Sequence, residues 1–373
     1  MAEAVRILHV LGNTRLGGAE SRIMDLYRHM DRDRVQFDFL VHTDKEGYFD
    51  KEIKALGGRI FRIPRFRVYN YFSYQRAVRS FFSVHHEFRV VQGHITSTAS
   101  IYLPQAKKAG VLVTAAHARS AGVDQGLKGV LTRLLRRNLS EKTDVMFTCS
   151  ELAGISVFGK RAVEQGKTIF VPNAIDCGVF DYNKEIREKV RRELGVEGQY
   201  VIGHVGSFRY AKNHEYLLRV FARLCEKKGD CVLLLLGEGS EMERIRQLAK
   251  ELGVEKKVYF LGNRGNVGDY YQAMDYFLYP SRFEGLPGAV VEAQTAGLYC
   301  LISDTICREV MVTDSVHAMD IRKEPEEWAE HIRKTADYRR RGRMEEMKRA
   351  GFDVNTQVKI MTKFYETGKW NDK

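Results

Sequence analysis

Tyr276-Phe-Leu-Tyr-Pro280 and Ser281-Arg-Phe-Glu-Gly-Leu-Pro-Gly-Ala-Val-Val-Glu-Ala-Gln-Thr-Ala-Gly297 follow one another in the 373-residue chain and are read together. The apolar run reads as a buried parallel strand that ends at a proline. Gly285, Pro287 and Gly288 make a loop, and Ala289 to Ala296 has helical spacing with Gly297 as its stop. A helix that opens at the carboxyl end of a strand turns unpaired backbone N–H groups and its positive dipole end outward, which favours an anion. Here those groups belong to Leu286, Pro287, Gly288 and Ala289, although proline itself has no N–H to give. Glu284 in the loop and Glu292 one turn into the helix flank this seat. The spacing admits two readings. Both acids can line one pocket with a phosphate between them, or the helix can be a capped surface helix with Glu292 in solvent.

The same strand, glycine loop and helix order recurs elsewhere. Val5-Arg-Ile-Leu-His-Val-Leu11 runs into Gly12-Asn-Thr-Arg-Leu-Gly-Gly-Ala-Glu20, and a helical pattern follows from Ser21 to Met30. The dinucleotide spacing GxGxxG is missing from this loop, which counts against a nicotinamide dehydrogenase. Gly17 and Gly18 let backbone approach a ligand closely, and a tight turn without a ligand fits them equally. Further strands are predicted at 35–41, 59–63, 89–92, 111–116, 144–149 and 167–171, with helical segments between them. A second start follows at Val201-Ile-Gly-His-Val-Gly-Ser207, whose loop Phe208-Arg-Tyr-Ala-Lys-Asn-His214 precedes an amphipathic helix over 215–227. Cys231 to Gly239 and Lys257 to Asn263 read as strand and turn, and 181–198 as a linker with a helix. Alternation of this kind predicts an α/β protein of doubly wound parallel sheets. The length predicts two domains, 1–175 and 176–354, each large enough for its own core.

Composition narrows the classes. With 44% hydrophobic and 29% charged residues the chain is an ordinary globular one, and no apolar run nears the roughly 18 to 20 residues of a membrane span. The N-terminus goes directly into a strand pattern and not into a signal peptide. The six cysteines lack CxxC spacing, as expected of reduced core thiols in a cytoplasmic protein. The formal charge of +12 is uneven: residues 1–180 hold 27 Lys and Arg against 17 Asp and Glu, a surplus of 10. Within 59–140 there are 14 basic and 2 acidic residues, and Arg62, Arg65 and Arg67 stand among aromatics in Phe61-Arg-Ile-Pro-Arg-Phe-Arg-Val-Tyr-Asn-Tyr-Phe72. Such a half is drawn to anionic lipid headgroups or a phosphorylated ligand, or is a soluble basic surface without a partner. No nucleic-acid-binding motif accompanies the charge, so no nucleic-acid partner is expected.

Leu261-Gly-Asn-Arg-Gly-Asn-Val267, Tyr271 through Ser281, Phe283-Glu-Gly-Leu-Pro287, Val291-Glu-Ala-Gln-Thr-Ala-Gly-Leu298 and Leu301-Ile-Ser-Asp-Thr305 closely resemble glycosyltransferase family 4. Ser303-Asp-Thr-Ile306 resembles its exopolysaccharide and capsule branch. The resemblance implies the GT-B fold, two Rossmann-like domains facing a cleft, with a C-terminal helix over about 355–367 that returns residues 355–373 to the first domain. It implies a retaining transfer from a UDP- or GDP-sugar without a metal or other cofactor, the leaving phosphate taking the acceptor's proton. Glu284 would hold donor-sugar hydroxyls, Glu292 the ribose hydroxyls and Lys212 the diphosphate. Asn263 and Arg264 would hold the base through backbone groups, and Gly17 and Gly18 would border the cleft.

His117 ends the strand-like run Val111-Leu-Val-Thr-Ala-Ala-His117 and stands where the family places a histidine beside the donor sugar. His94 ends Val90-Val-Gln-Gly-His94 and is equally readable as a structural histidine or as an acceptor-side group. Ile169-Phe-Val-Pro-Asn-Ala-Ile-Asp176 is similar to the segment that closes the family's first domain, with Ala174 in place of glycine. The chain departs from the family pattern at Ser207, where arginine is usual; Arg209 stands two residues on. A lipid-linked glycan precursor at the inner membrane face is the expected acceptor. The competing expectation is a non-catalytic nucleotide-sugar-binding or membrane-docking subunit of a polysaccharide assembly complex.

Overall fold

The computed structural model describes residues 3–119 and 127–370; within the basic stretch 59–140, residues 120–126 lie outside the described residues, as do 371–373 of the C-terminal segment. The chain forms two compact units, Met1–Ala174 with Val354–Lys373, and Ile175–Asp353.

In the first unit the strands are β1 Val5–Leu11, β2 Val35–Val41, β3 Ile60–Arg62, β4 Phe88–Gly93, β5 Val113–Ala118, β6 Val145–Thr148 and β7 Thr168–Phe170. They form one parallel sheet in the order β3-β2-β1-β4-β5-β6-β7. Every residue of β2 is buried, although Gln36 and Asp38 alternate with its apolar residues as in a half-exposed strand. Its one acid, Asp38, is fully buried and takes hydrogen bonds from Arg6 and Arg59 at 2.6–3.2 Å. Burial opposes its charge, but the two guanidinium groups prevail and its pKa is lowered. The core joins Ile7, Phe37, Phe39 and Tyr27 to Met361, Phe364 and Tyr365 of the C-terminal helix Val354–Thr367. Each such buried side chain contributes about 1.5–3 kcal/mol.

The second unit holds β8 Tyr200–Val205, β9 Cys231–Leu236, β10 Val258–Gly262, β11 Tyr276–Tyr279, β12 Tyr299–Ser303 and β13 Val316–Met319. These are parallel in the order β10-β9-β8-β11-β12-β13. The two sheets thus reverse direction of growth between β1 and β4 and between β8 and β11. Open α/β sheets bind ligands beyond the carboxyl ends of the strands at such reversals.

Local chemistry sets the helix ends. The first helix runs Gly18–His29, starting a turn earlier than expected from Ser21, because extended Gly17 serves as its N-cap and its carbonyl takes the Ser21 N–H. The helix Gly288–Thr295 closes at Gly297, whose φ of +73° suits glycine. Leu298 N–H reaches the Ala293 carbonyl and Gly297 N–H that of Gln294, a Schellman closure. A Cβ at Gly297 would sit 1.8 Å from the Arg341 carbonyl oxygen, so only glycine fits.

Candidate active site

In the second unit the grouping forms where β8 and β11 end. Lys212 closes a short turn, Tyr210–Lys212, and Asn213 follows in the left-handed region with φ +56°. The Asn213 amide donates to the Pro280 carbonyl at 3.1 Å and ties this turn to the end of β11. Lys212 Nζ donates to Glu284 Oε1 at 2.5 Å and to the Tyr279 hydroxyl, and lies 5.0 Å from the centre of the Tyr279 ring. Burial alone would lower the lysine's pKa, yet Tyr279 and Glu284 overcome that and the net shift is upward. The ammonium is therefore a fixed cation. Two of its three donors are committed in these contacts.

Glu292 is buried, with its carboxylate accepting the Tyr271 hydroxyl at 2.9 Å. The alternative of a solvated Glu292 on a surface helix therefore fails, since Val290 to Thr295 are all buried. Gly285, Leu286 and Pro287 are buried at the loop, and Gly288 and Ala289 open the helix. Their amides fall in a first turn that lacks intrahelical partners. Ser207 is half-buried and its carbonyl takes the Arg209 N–H at 2.8 Å, while the Arg209 residue itself is exposed. Asn263 and Arg264 lie past β10, the sheet's edge strand. Asn263 donates to Glu238 at 3.1 Å and Arg264 Nε to the Leu261 carbonyl at 2.9 Å. So Lys212 and Glu284 meet directly, Glu292 belongs to the same loop-helix, and Asn263 with Arg264 stand two strands out from β8.

In the first unit, His117 is buried on β5, and its Nδ1 faces Gln92 Nε2 at 3.1 Å. His94 spends both ring nitrogens within the protein, on Arg119 at 3.0 Å and on His9 at 3.0 Å. It sits half-buried in a polar cluster. Gly17 is close against its own helix: a Cβ there would lie 2.5 Å from Glu20 Oε2, whereas Gly18 has open space. Arg62 is ion-paired to buried Asp50 and donates to the Lys45 carbonyl, so its charge is spent locally. Arg65 and Arg67 are exposed, and Arg67 donates to the Tyr69 hydroxyl at 2.8 Å. Tyr69 and Phe72 beside them are 81% and 82% exposed, so the basic-aromatic patch centres on 65–72.

Sequence reading missed Tyr279 and Tyr271, because a tyrosine inside an apolar run looks like core. It missed His9, Gln92, Arg119 and Tyr365 as well, which only the fold assembles. Among the described residues, no group of three or more His, Cys, Asp or Glu side chains is placed to hold a metal ion.

Comparison with known proteins now decides the family. Residues 186–352 match glycosyl transferases group 1 and residues 16–179 match Glycosyltransferase Family 4. The chain is 32% identical over 375 residues to "Putative glycosyltransferase EpsF" of Bacillus subtilis (strain 168), covering 98% of each chain. The chain belongs to glycosyltransferase family 4. This family 4 enzyme is also 21% identical to the capsular polysaccharide biosynthesis glycosyltransferase CapH of Staphylococcus aureus, over 88% of the chain and 90% of CapH. Over 38% of each chain it is 30% identical to the UDP-Gal:alpha-D-GlcNAc-diphosphoundecaprenol alpha-1,3-galactosyltransferase of Escherichia coli. The GT-B fold is shared with HepE of Anabaena, crystallised with UDP and glucose, at a TM-score of 0.74, 17% identity and 97% coverage of each chain.

Proposed function

We propose that this family 4 glycosyltransferase moves a sugar, with retention of anomeric configuration, from a nucleoside-diphosphate sugar to a lipid-linked glycan in polysaccharide assembly. The observation that carries the reading is the Lys212–Tyr279–Glu284 contact beside the N-terminus of the Gly288–Thr295 helix. A nucleoside diphosphate leaves with about two negative charges while positive charge builds on the sugar ring. A fixed ammonium and preorganised backbone N–H groups stabilise the leaving charge without reorganising as it forms. In this reading Glu284 meets donor-sugar hydroxyls and Glu292 meets the ribose.

Front-side attack follows: the acceptor hydroxyl bonds to the anomeric carbon on the face the phosphate leaves, and its proton passes to a departing phosphate oxygen. Cationic side chains do the charge neutralisation, so transfer is expected to persist with chelator present. Relatives named for capsular polysaccharide and for an undecaprenol-linked acceptor support the substrate class. The exposed Arg65, Arg67, Tyr69 and Phe72 supply a surface suited to an anionic leaflet. Among the described residues no helix is long and apolar enough to cross a membrane, so attachment would be peripheral.

One-dimensional NMR of the transfer product tests the mechanism. The anomeric coupling of the new linkage should match that of the donor, and the opposite configuration would remove front-side attack. Ser207, standing where arginine is usual, favours a second reading, a nucleotide-sugar-binding subunit without turnover. Tight donor binding with no product from any acceptor would select it.

A further inference from the structure

Among the described residues a cavity of about 650 Å³ opens at the amino ends of the second unit's strands. Tyr200 begins β8 there, Asp275 stands just before β11 and Asp230 just before β9. Lys212 lies past the other end of β8, so the sheet separates the two places by the length of a six-residue strand, about 20 Å. All the lining residues belong to Ile175–Asp353, and none has a part in the transfer described above.

The charge at this cavity does not balance. Arg187 and Arg191 stand one turn apart on the helix Lys184–Leu194, and Arg340 comes from the run Arg339-Arg-Arg341. Their guanidinium groups converge on the carbonyl end of the helix Val267–Ala273. Arg187 donates to the Met274 carbonyl at 2.8 Å, Arg191 to that of Ala273 at 2.9 Å and Arg340 to that of Gln272 at 2.8 Å. One carboxylate serves all three: Asp275 pairs with Arg187 and Arg191, while Arg340 forms no ion pair among the described residues. The helix end adds roughly half a negative charge. Three largely buried cations therefore face less than two negative charges, where buried charge is costly unless paired. The excess shows at Arg340, whose pKa is brought down to about 9, first by burial and then by the neighbouring charge of Arg187.

Two further cations line the wall. Arg339 is exposed, and Lys228 lies 4.9 Å from the centre of the Tyr200 ring. Neither side chain has a hydrogen bond or ion pair among the described residues, so both have N–H donors to give. Exposed Asp230 is the one acid besides Asp275 that opposes them.

We propose that this cavity binds the phosphate group of a small organic phosphate, of sugar-phosphate or nucleotide size, through Lys228 and Arg339. The inner arginines are already held by carbonyls and Asp275, and they contribute through their charge. Inorganic phosphate alone would leave most of the space empty, since about 300–1,000 Å³ is the usual size of a site for a whole small molecule. Tyr182, Tyr200 and Tyr338 line the remainder and offer ring faces and hydroxyls to a sugar or a base. Neither the cavity nor its charge depends on the transferase reading.

Calorimetric titration of the full chain carrying Lys212→Met tests this, because that change weakens the diphosphate grip at the far end of the sheet. The probes are glucose 6-phosphate, adenosine monophosphate and inorganic phosphate at low ionic strength. At least one of the two organic phosphates should bind saturably, at least fivefold more tightly than inorganic phosphate, and the better of them tells a sugar from a base beside the tyrosines. Adding Lys228→Gln with Arg339→Gln should lower its affinity at least tenfold, as two charge-assisted contacts are lost. Asp230→Asn should instead raise it about threefold, through loss of an opposing charge at the rim. That opposite shift distinguishes a change at the site from damage to the fold. No binding of either organic phosphate, or equal affinity with and without Lys228 and Arg339, would overturn the site. Inorganic phosphate bound as tightly as the organic phosphates would overturn the assignment to an organic ligand.

Discussion

Glu284 and Lys212 are 15% and 18% exposed at their side chains, and each neutralises the other. Glu284→Gln keeps the shape but leaves the ammonium facing an uncharged amide. For a pair this poorly hydrated the loss in stability should be about 2 kcal/mol. A nucleoside diphosphate brings replacement negative charge to the lysine. The variant should therefore gain more thermal stability from added UDP or GDP than the unaltered chain does, although its transfer rate falls about 100-fold. Differential scanning fluorimetry with and without nucleotide reads the first effect. Equal stabilisation of both proteins would place the diphosphate away from Lys212. Lys212 and Glu284 were legible as site candidates because both sit in loops after predicted strands; their direct contact was not. Tyr279 was not, since its hydroxyl is one atom on a ring that otherwise packs like its apolar neighbours.

At the scale of elements, the helix that carries Glu292 depends on a residue far along the chain. Arg340 donates to the carbonyls of Tyr271, Gln272, Met274 and Ala296, and its guanidinium lies 4.5 Å from the Tyr182 ring centre. Ala296 ends the Glu292 helix, while Tyr271 and Gln272 belong to the helix Val267–Ala273 that supplies the Tyr271 hydroxyl. Arg340→Lys retains charge but has fewer donors and no planar fork, so several buried carbonyls lose their partner. We expect about 2–4 kcal/mol of lost stability, a fall of several degrees in the melting temperature. An unchanged melting curve would show that these carbonyls find water instead. Nothing in the sequence near Arg340 announces this role, because its partners are mainly backbone carbonyls brought by two distant segments, 271–274 and Ala296. The strands were easier. Tyr276–Tyr279 is an unbroken apolar run, as a doubly covered parallel strand requires, while in Val35–Val41 the apolar residues alternate with Gln36 and Asp38, the strand's own period. β13 went unanticipated: it is four residues long, at a sheet edge, and only partly buried.

For the whole molecule, buried histidines set the pH response. Burial lowers His9 and His204 to about 3, His42 to about 4 and His214 to about 2. Against an unfolded value near 6.5, the unfolded chain binds more protons as pH falls, so stability is full above pH 6.5 and declines below it. At pH 5.5 each of the four should cost about 1.4 kcal/mol. Two of these lie in each unit, and burial pushes His94 and His117 of the first unit well below the usual range as well, so both units should lose stability between pH 7 and 5.5, the first unit more. A flat profile over that range would mean the rings reach water. The charge surplus of the first 180 residues makes a separate prediction. Arg65→Glu with Arg67→Glu should lower sedimentation with phosphatidylglycerol vesicles by at least tenfold, since each basic side chain at such a surface contributes about 1 kcal/mol. Arg62→Glu would mostly break the Asp50 pair, so it serves as a poor probe. Binding unaffected by the double change would move the docking surface elsewhere.

The central claim is that the second unit grips a diphosphate through Lys212. Calorimetric titration of the Lys212→Met variant and the unaltered chain, with UDP, GDP and the corresponding nucleosides, measures that grip. The account predicts that affinity for the nucleoside diphosphate falls by about 10- to 100-fold, as expected for one charge-assisted contact, while affinity for the bare nucleoside is unchanged. Equal diphosphate affinity in the two proteins would contradict it.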